Sequence, residues 1–322
     1  MQLSSSRVLV IGGAGFIGSH LVEAVAARGA AHLAVMDTLW LGRRANLDDA
    51  TRLCPELAFY QEDAAEFPAL VSVIERVRPD IVFNLATKPL NYSFVNPRGA
   101  YMVNVDIAAN LAELQRGGAF GALVQFSTSE VYGDARRAPM DEEHPCHPTT
   151  PYAAGKLAAD LLLRSYRELF GIRVLTVRPF NNYGPRQNAG DYAAVIPLTI
   201  RRILSGQAPV LEGDGHQTRD FTFVTDTARL ALELVEQGDA WGREINVAAG
   251  EELQIGALIA TICETLGYRG PIDRRPVRAG DHRRHVAGVA LLRSLLPGAS
   301  TTPAAQGIAE TVAWYQRGGQ GA

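Results

Sequence analysis

The 322-residue sequence predicts an α/β fold, in which a doubly wound parallel sheet is followed by a smaller C-terminal lobe. Short runs of β-branched and apolar residues alternate with amphipathic helical patterns through the first half of the chain. Strands of this kind belong to parallel sheets that are covered by helices on both faces. After Pro179 the pattern changes, because segments rich in glycine and proline separate shorter helices.

Strands and helices alternate in order along the first half of the chain. The helical patterns include "GSHLVEAVAARG", "ALVSVIERVRP" and "MVNVDIAANLAELQR", and "VIPLTIRRILSG" and "DTARLALELVEQ" follow in the second half. We expect the sheet domain to cover residues 1–178 and the lobe to cover 179–322, with segments near 213–240 returning to the first domain. Six strands are predicted, at 7–12, 32–37, 57–63, 80–86, 122–128 and 172–179.

The composition excludes several classes of function. A net charge of −3 with 20% charged residues provides no basic surface for nucleic acid. The sequence contains no apolar segment long enough for a membrane span, and we expect no signal peptide. The cysteines, Cys54, Cys146 and Cys263, have neither CxxC nor zinc-ligand spacing. We therefore expect reduced thiols, no metal site and a cytoplasmic location.

Residues 12–18, "GGAGFIG", form a glycine loop between the first predicted strand and the first predicted helix. Gly12, Gly15 and Gly18 stand at three-residue spacing, which allows a tight turn and lets backbone N–H groups approach a pyrophosphate at the helix N-terminus. The next strand ends in Asp37, at about the spacing of an acid that binds a ribose 2′-hydroxyl. The sequence therefore predicts a dinucleotide site that favours NAD over a 2′-phosphorylated cofactor.

Three charged residues near this site leave alternatives open. Asp63 ends the third predicted strand, where it either touches the adenine edge or is an ordinary acid at a strand end. Arg43 and Arg44 follow Asp37 closely, and an arginine there is what a ribose 2′-phosphate requires.

A second group of residues predicts acid–base chemistry. In the stretch "FSTSEVYG" at 126–133, Thr128 and Glu130 lie two apart after an apolar strand, so we expect them to share a face. Tyr152 and Lys156 are four apart at the start of a helix and share its face. A phenol with a pKa of about 10 is a poor base, and a nearby ammonium lowers that pKa. Tyr152 can then take a proton from a sugar or alcohol hydroxyl while hydride leaves for a nicotinamide.

Seven motifs and Asp37 resemble those of extended short-chain dehydrogenases/reductases in the nucleotide-sugar epimerase/dehydratase family. The resemblance spans nearly the whole chain and implies a Rossmann NAD-binding domain with a C-terminal lobe that binds a UDP-, dTDP- or GDP-linked sugar. Three departures occur: Gly155 replaces the usual serine of "ASK", Ala287–Gly288 replaces "AD", and "NLATK" replaces "HLAA". The motifs are "GGAGFIGSH", "NLA", "STSEVYG", "PYAAGK", "RPFNNYGPRQ", "GDGHQTRDF" and "RAGDHRR".

The resemblance also implies roles for individual residues. The Thr128 position hydrogen-bonds the reacting sugar oxygen, and Tyr152 and Lys156 act as the acid–base pair beside the cofactor. Bidentate arginines suit a diphosphate, although each arginine can also be a solvated surface charge. The remaining positions are Phe16, Ile17 and Ala86 for NAD, and Asn181, Arg219 and Arg278 for the diphosphate of the substrate.

Glu130 bears on which reaction follows oxidation of the sugar at C4. A 4,6-dehydratase needs a base for the C5 proton, whereas a 4-epimerase needs none and typically has a small residue here. The triplet "TSE", with Ser129, resembles both GDP-mannose dehydratases and UDP-glucuronate decarboxylases, whereas dTDP-glucose dehydratases have "TDE". "RPFNNYGPRQ" followed by "AVIP" favours a dehydratase and "PLNY" a decarboxylase.

We predict an NDP-hexose 4,6-dehydratase with Glu130 as the C5 base. The alternatives are a UDP-glucuronate decarboxylase, a UDP-hexose 4-epimerase, and a non-catalytic dinucleotide-binding sensor. Glu130 can also be a strand-end acid that only caps a backbone N–H. The helices around 98–116 and 152–169 resemble those that form a four-helix dimer contact in relatives, so we expect a homodimer.

Overall fold

The first half of the chain folds into six strands joined by helices. A computed structural model describes residues 2–190, 192–277 and 283–319. All six predicted strands are present, mostly one or two residues shorter than predicted. The elements are β1 Arg7–Ile11, α1 Phe16–Ala27, β2 His32–Met36, α2 Asp48–Leu53, β3 Ala58–Tyr60, α3 Phe67–Val77, β4 Ile81–Asn84, α4 Pro97–Arg116, β5 Ala122–Phe126, α5 Pro151–Phe170 and β6 Val174–Pro179.

The second half contains shorter strands and five helices among the described residues. Short 3₁₀ helices also occur, including Leu90–Phe94 and Ser129–Tyr132 in the first half. The further elements are β7 Asn181–Tyr183, α6 Val195–Leu204, β8 Val210–Glu212, β9 Thr218–Arg219, β10 Phe221–Phe223, α7 Val224–Glu236, β11 Glu244–Val247, β12 Leu253–Gln254, α8 Ile255–Thr265, β13 Asp273–Arg275, β14 Arg284–His285, α9 Ala290–Leu295 and α10 Ala304–Gln316.

The central sheet has seven parallel strands in the order β11-β6-β5-β4-β1-β2-β3. The strand order reverses between β1 and β4, which is the point where open α/β sheets bind ligands beyond the carboxyl ends of their strands. The predicted fold class is confirmed. The seventh strand, β11, was not predicted and comes from the chain after Pro179. The division of domains at residues 178 and 179 stays a prediction.

Helices cover both faces of the sheet, as the continuous apolar strands require. Val8 and Val10 of β1 belong to a core shared with α1 and α7, whereas Leu9 and Ile11 belong to a core shared with α3, α4 and α5. This alternation follows from the two-residue period of a strand. Helices α6, α8 and α10 form a third core with residues such as Ile200. This third core lies beside the carboxyl ends of the sheet strands, where the two regions enclose a cavity.

Helix α5 carries the Tyr152–Lys156 pair and has well-defined ends. The Thr150 hydroxyl accepts a hydrogen bond from the backbone N–H of Ala153 at 3.2 Å, and Pro151 occupies the first turn. The helix ends at Gly171, which has a φ of +70°. These signals fix the start of the helix and so the position of the pair. Across the described ranges, no helix combines the length and the apolar character needed to cross a membrane.

Candidate active site

A cavity of about 880 Å³ lies beyond the carboxyl ends of β1, β2, β4, β5 and β6. Residues of the third core close it from the other side. Every predicted site residue within the described part of the chain lines this cavity, whereas Arg278 lies outside the described residues. Those lining residues are Gly12, Gly15, Phe16, Ile17, Gly18, Asp37, Asp63, Ala86, Thr128, Glu130, Tyr152, Lys156, Asn181 and Arg219.

The glycine loop forms a cradle that side chains would fill. Gly12 has a φ of +78°, and a Cβ built on it would lie 2.7 Å from the backbone nitrogen of Ala86. A Cβ on Gly18 would overlap the carbonyl oxygen of Gly12. Helix α1 begins at Phe16 directly after this turn, so its N-terminus faces the cavity. Such a turn before a helix N-terminus fits the pyrophosphate of a dinucleotide.

Asp37 hydrogen-bonds both the glycine loop and the chain that follows β2. Its carboxylate accepts hydrogen bonds from the backbone N–H groups of Ala14 at 3.0 Å and Leu39 at 2.8 Å. Burial raises its pKa, and these backbone bonds oppose that effect. Arg44 lies over the ring of Phe59, 3.9 Å from its centroid. The residues that line the cavity include neither Arg44 nor Arg43, so the acid is the charged group at this position.

Asp63 lies at the same end of the cavity. Its Oδ1 accepts a hydrogen bond from the backbone N–H of Ala65 at 2.9 Å, which stabilises the turn before α3. Its charge also acts on the ammonium of Lys88. The structure therefore gives Asp63 a turn-forming bond as well as a place in the cavity wall, and a contact to adenine stays a prediction.

Thr128 and Glu130 reach the cavity by a different route from the one predicted. Strand β5 ends at Phe126, so the expectation that both side chains follow the period of a strand is wrong. Thr128 instead caps a 3₁₀ turn, and its hydroxyl accepts a hydrogen bond from the backbone N–H of Glu130 at 3.2 Å. This cap satisfies the backbone N–H of Glu130 within the 3₁₀ helix Ser129–Tyr132. Both side chains nevertheless line the cavity.

Tyr152 and Lys156 lie on the buried face of α5. The phenol of Tyr152 shares a hydrogen bond with the side chain of Thr128. The ammonium of Lys156 donates to the carbonyl oxygen of Phe126 at 2.8 Å. Burial raises the pKa of Tyr152, Thr128 lowers it, and the charges of Glu130 and Asp160 raise it. Burial is the largest of these effects, so the pKa of Tyr152 is raised overall, and a lowering by Lys156 stays a prediction.

The two described diphosphate candidates come from the small sheets of the second half. Asn181 lies on β7, and its side-chain amide donates to the carbonyl oxygen of Asp220 at 3.2 Å. Arg219 lies on β9 and donates to the carbonyl oxygen of Thr218 at 2.8 Å. The first bond links Asn181 to the chain between β9 and β10, and the second holds Arg219 against its own strand. The structure thus places Asn181 and Arg219 in the same cavity as Thr128 and Tyr152.

Comparison with known families decides the identity of this fold and site. The model of the NAD dependent epimerase/dehydratase family matches residues 8–248. This chain belongs to that family. The predicted family and the predicted cofactor, NAD, are confirmed at this level.

Relatives within the epimerase/dehydratase family divide between two activities. UDP-glucose 4-epimerase of Mycolicibacterium smegmatis is 32% identical over 98% of this chain and 100% of its own length. dTDP-glucose 4,6-dehydratase of Streptomyces niveus is 31% identical over 96% of this chain and 93% of its own length. The two identities are almost equal, so similarity alone does not separate an epimerase from a dehydratase.

Solved structures of the epimerase/dehydratase family show the same division. UDP-glucose 4-epimerase of Thermotoga maritima, crystallised with UDP-glucose, has a TM-score of 0.90, 26% identity and coverage of 96% of this chain and 98% of its own. A dTDP-glucose 4,6-dehydratase of Streptomyces venezuelae, with NAD bound, has a TM-score of 0.89, 30% identity and coverage of 97% of both chains.

Two groups of residues in this epimerase/dehydratase, one at the cavity wall and one buried behind it, were not predicted as site residues. Lys88 lies 3.7 Å from the ring centroid of Trp40, which also contacts Tyr92 and Tyr192. Trp40, Tyr92 and Tyr192 lie in three segments that are far apart in sequence, so no local pattern joins them. The sequence did hold one signal: among 31 basic residues only two are lysines, and both Lys88 and Lys156 line the cavity.

The second group is a buried network behind Lys156, formed by Ser127, Asp160 and Arg178. Its signal was the repeated four-residue spacing of Tyr152, Lys156 and Asp160 along one helix face.

Proposed function

We propose that this protein is an NAD-dependent enzyme that oxidises a nucleotide sugar at C4, and that it is a 4,6-dehydratase in which Glu130 removes the C5 proton. The observation that carries this proposal is the presence of Glu130 in one cavity with Thr128 and Tyr152, close enough for its charge to act on the phenol. That arrangement supplies one acid–base pair for C4 and a separate carboxylate for C5.

The residues around the phenol can perform the first step. NAD, when bound, accepts the hydride that leaves C4. The Tyr152 phenolic oxygen takes the proton of the C4 hydroxyl. The Thr128 hydroxyl holds the C4 oxygen of the sugar by a hydrogen bond. The buried ammonium of Lys156 favours the anionic phenolate electrostatically. Because all three groups are already held by the end of β5 and by α5, little reorganisation is required on binding.

The nucleotide ends of cofactor and substrate fit opposite walls of the cavity. Gly12, Gly15 and the start of α1 would hold the pyrophosphate of NAD, and Asp37 would accept a ribose hydroxyl. Asn181 and Arg219 would bind the diphosphate of the nucleotide sugar, with Arg219 contributing charge-assisted hydrogen bonds. The base can be that of UDP, dTDP or GDP, and titrating each nucleoside diphosphate by calorimetry identifies it.

A 4-epimerase is the second candidate, because similarity to UDP-glucose 4-epimerases favours it. Ser129 also occupies the place of the aspartate found in "TDE" triplets, which removes one acid from the expected dehydratase set. In an epimerase Glu130 would serve only to orient the substrate. The dehydratase proposal therefore rests on this one carboxylate.

A panel of nucleotide sugars tests the proposal. Incubation with UDP-, dTDP- and GDP-linked hexoses is expected to yield a 4-keto-6-deoxy sugar that absorbs in alkali. Products that are only C4 epimers would contradict the dehydratase, and release of CO₂ from UDP-glucuronate would show a decarboxylase. Tyr152→Phe serves as the control, since it keeps the cavity shape but removes the group that exchanges the proton. If no sugar in the panel reacts and none reduces bound NAD, the sensor alternative gains support.

We also propose a homodimer formed through α4 and α5, which pack side by side. On α5, Leu161, Leu169 and Phe170 are 48%, 75% and 48% exposed, and apolar side chains of this size seldom cluster on a free surface. Sedimentation velocity at micromolar concentration is expected to give a dimer. Leu161→Glu/Leu169→Glu should give a monomer, whereas Leu53→Glu, at an equally exposed leucine on α2, should not.

A further inference from the structure

A buried ion pair lies behind the acid–base pair. The side chains of Asp160 and Arg178 are 0% and 2% exposed, and Nη2 of Arg178 lies 3.1 Å from Oδ2 of Asp160. Nε of Arg178 and the hydroxyl of Ser127 donate to the same oxygen at 3.2 Å and 2.8 Å. A buried ion pair is weak support for stability, because its desolvation cost offsets much of its attraction. A role other than stability is therefore worth seeking.

Asp160 shares the helix face that carries Tyr152 and Lys156. The three residues follow at intervals of four, which places their side chains in one row along α5. Lys156 is 2% exposed, and its ammonium donates to an uncharged carbonyl oxygen. A buried ammonium needs a counter-charge to stay protonated. Burial lowers the pKa of Lys156 to about 8, and Asp160 is the charge that opposes this shift.

The carboxylate of Asp160 is bonded on one side only. Its Oδ2 accepts all three hydrogen bonds, whereas its Oδ1 is buried and has no partner among the described residues. A buried polar atom without a partner calls for an explanation. Burial raises the pKa of Asp160, and Arg178 and Ser127 oppose that effect because both favour the ionised form. Oδ1 of Asp160 therefore contributes negative potential between α5 and the sheet. Lys156, one helical turn before Asp160 on α5, is the neighbouring cation.

We propose that Asp160 is a positioning residue for the acid–base pair: its carboxylate, fixed by Arg178 and Ser127, keeps the buried ammonium of Lys156 charged. The inference rests on the proposed function, in which Tyr152 and Lys156 act together. Lys156, Asp160 and Arg178 together carry one net positive charge in a low-dielectric layer, which favours a phenolate at Tyr152. The other titratable groups that act on this row are Glu130, Tyr132, Cys146 and Glu244.

The test is the pH dependence of Asp160→Asn, which removes the charge and keeps the shape. Loss of a counter-charge one helical turn away is expected to lower the pKa of Lys156 by about one to two units. The alkaline limb of the kcat–pH profile should move to lower pH by the same amount, so that kcat above the new limb falls about tenfold or more. The fold of the variant is checked by circular dichroism, since Arg178 would lose its partner.

A second readout does not depend on turnover. The chain has two lysines, so ¹³C-lysine spectra of the NAD-bound protein contain two side-chain signals, and Lys88→Arg identifies the signal of Lys156. This signal should titrate at lower pH in Asp160→Asn than in the unsubstituted protein. If Asp160→Asn does not fold, Asp160→Asn/Arg178→Gln avoids burying an unpaired charge, and the Lys156 signal should again titrate at lower pH, with a smaller shift because the loss of the Arg178 charge opposes the loss of Asp160.

Asp226→Asn is the matched control. Asp226 is buried and paired with Arg229 at 3.0 Å, but it lies on α7 and does not line the cavity. In Asp226→Asn, the alkaline limb of the kcat–pH profile and the titration of the Lys156 signal should match those of the unsubstituted protein. If Asp160→Asn behaves like Asp226→Asn in both measurements while Tyr152→Phe is inactive, the role of Asp160 is refuted and the proposed function stands. If Tyr152→Phe is active, the proposed function itself fails.

Discussion

Replacing Gly12 by alanine tests whether the close approach of β1 to β4 builds the cofactor cradle. A Cβ at Gly12 would meet three backbone atoms at 2.7–2.9 Å, namely the nitrogen and Cα of Ala86 and the carbonyl carbon of Leu85. Gly29 provides the matched control, because its φ of +69° is similar to the +78° of Gly12 but no heavy atom lies within 4 Å of its Cβ position. The two substitutions therefore share backbone strain and differ in steric overlap.

The expected free energies follow from this difference. Left-handed backbone costs an alanine roughly 1–2 kcal/mol, so Gly29→Ala should lower the free energy of unfolding by about 1 kcal/mol. At Gly12 the backbone must also move by about 0.7 Å to restore ordinary contact, at roughly 1–3 kcal/mol more. We therefore expect a loss of about 2–4 kcal/mol for Gly12→Ala. Displacing the turn should also weaken NAD binding by about tenfold or more, which corresponds to roughly 1.4 kcal/mol.

Urea unfolding of the protein without added NAD measures the free energy of unfolding. Calorimetric titration with NAD measures the affinity for NAD. Gly29→Ala should bind NAD as the unsubstituted protein does, because Gly29 lies outside the cavity lining. The reasoning is refuted if Gly12→Ala is no less stable than Gly29→Ala, or if it binds NAD with unchanged affinity. Either result would mean that the loop adjusts without disturbing β4.

Four further substitutions give measurable outcomes. Lys156→Met should reduce kcat at least about a hundredfold in a steady-state assay, yet keep or raise the melting temperature, because it removes a buried charge. Arg186→Gln removes two ion pairs that join the second half of the chain to α1 and α2, and should cost about 1–2 kcal/mol in urea unfolding. Arg52→Gln, at an exposed pair, should change the free energy of unfolding by less than about 0.5 kcal/mol. His20 has a pKa lowered by burial from 6.5 to about 4, so the unfolded chain binds its proton first and stability should fall by up to about 3 kcal/mol between pH 6.5 and 4. That dependence should be absent in His20→Gln, and equal pH profiles for the two proteins would contradict it.

The parts of the fold that local pattern determines were predictable. The apolar strands and the helix caps of the first half are set by residues next to them in sequence, and the structure contains all six predicted strands. The seventh strand, β11, was missed because it has only four residues, three of them fully buried, and its position depends on pairing with β6. Pairing between distant segments leaves little trace in a single short sequence window.

In the candidate site, too, local motifs indicated some features, whereas others depend on the folded structure. Motifs singled out the glycine loop, Asp37 and the Tyr152–Lys156 pair, and these residues line one cavity. Burial could not be predicted, and it raises the pKa of Tyr152, whereas the expected effect of Lys156 is to lower that pKa. The 3₁₀ turn that presents Glu130 depends on a cap at the end of β5, which strand periodicity does not indicate.

The central claim is that Glu130 acts as a base only after the sugar has been oxidised at C4. The most direct test mixes Glu130→Gln with the nucleotide sugar that the unsubstituted protein converts, and follows nicotinamide absorbance and products together. Dehydration by way of Glu130 predicts that reduced cofactor and a 4-keto sugar accumulate while no 4-keto-6-deoxy product forms. Formation of that product at an unchanged rate would contradict the role of Glu130, and recovery of C4 epimers alone from the unsubstituted protein would contradict dehydration.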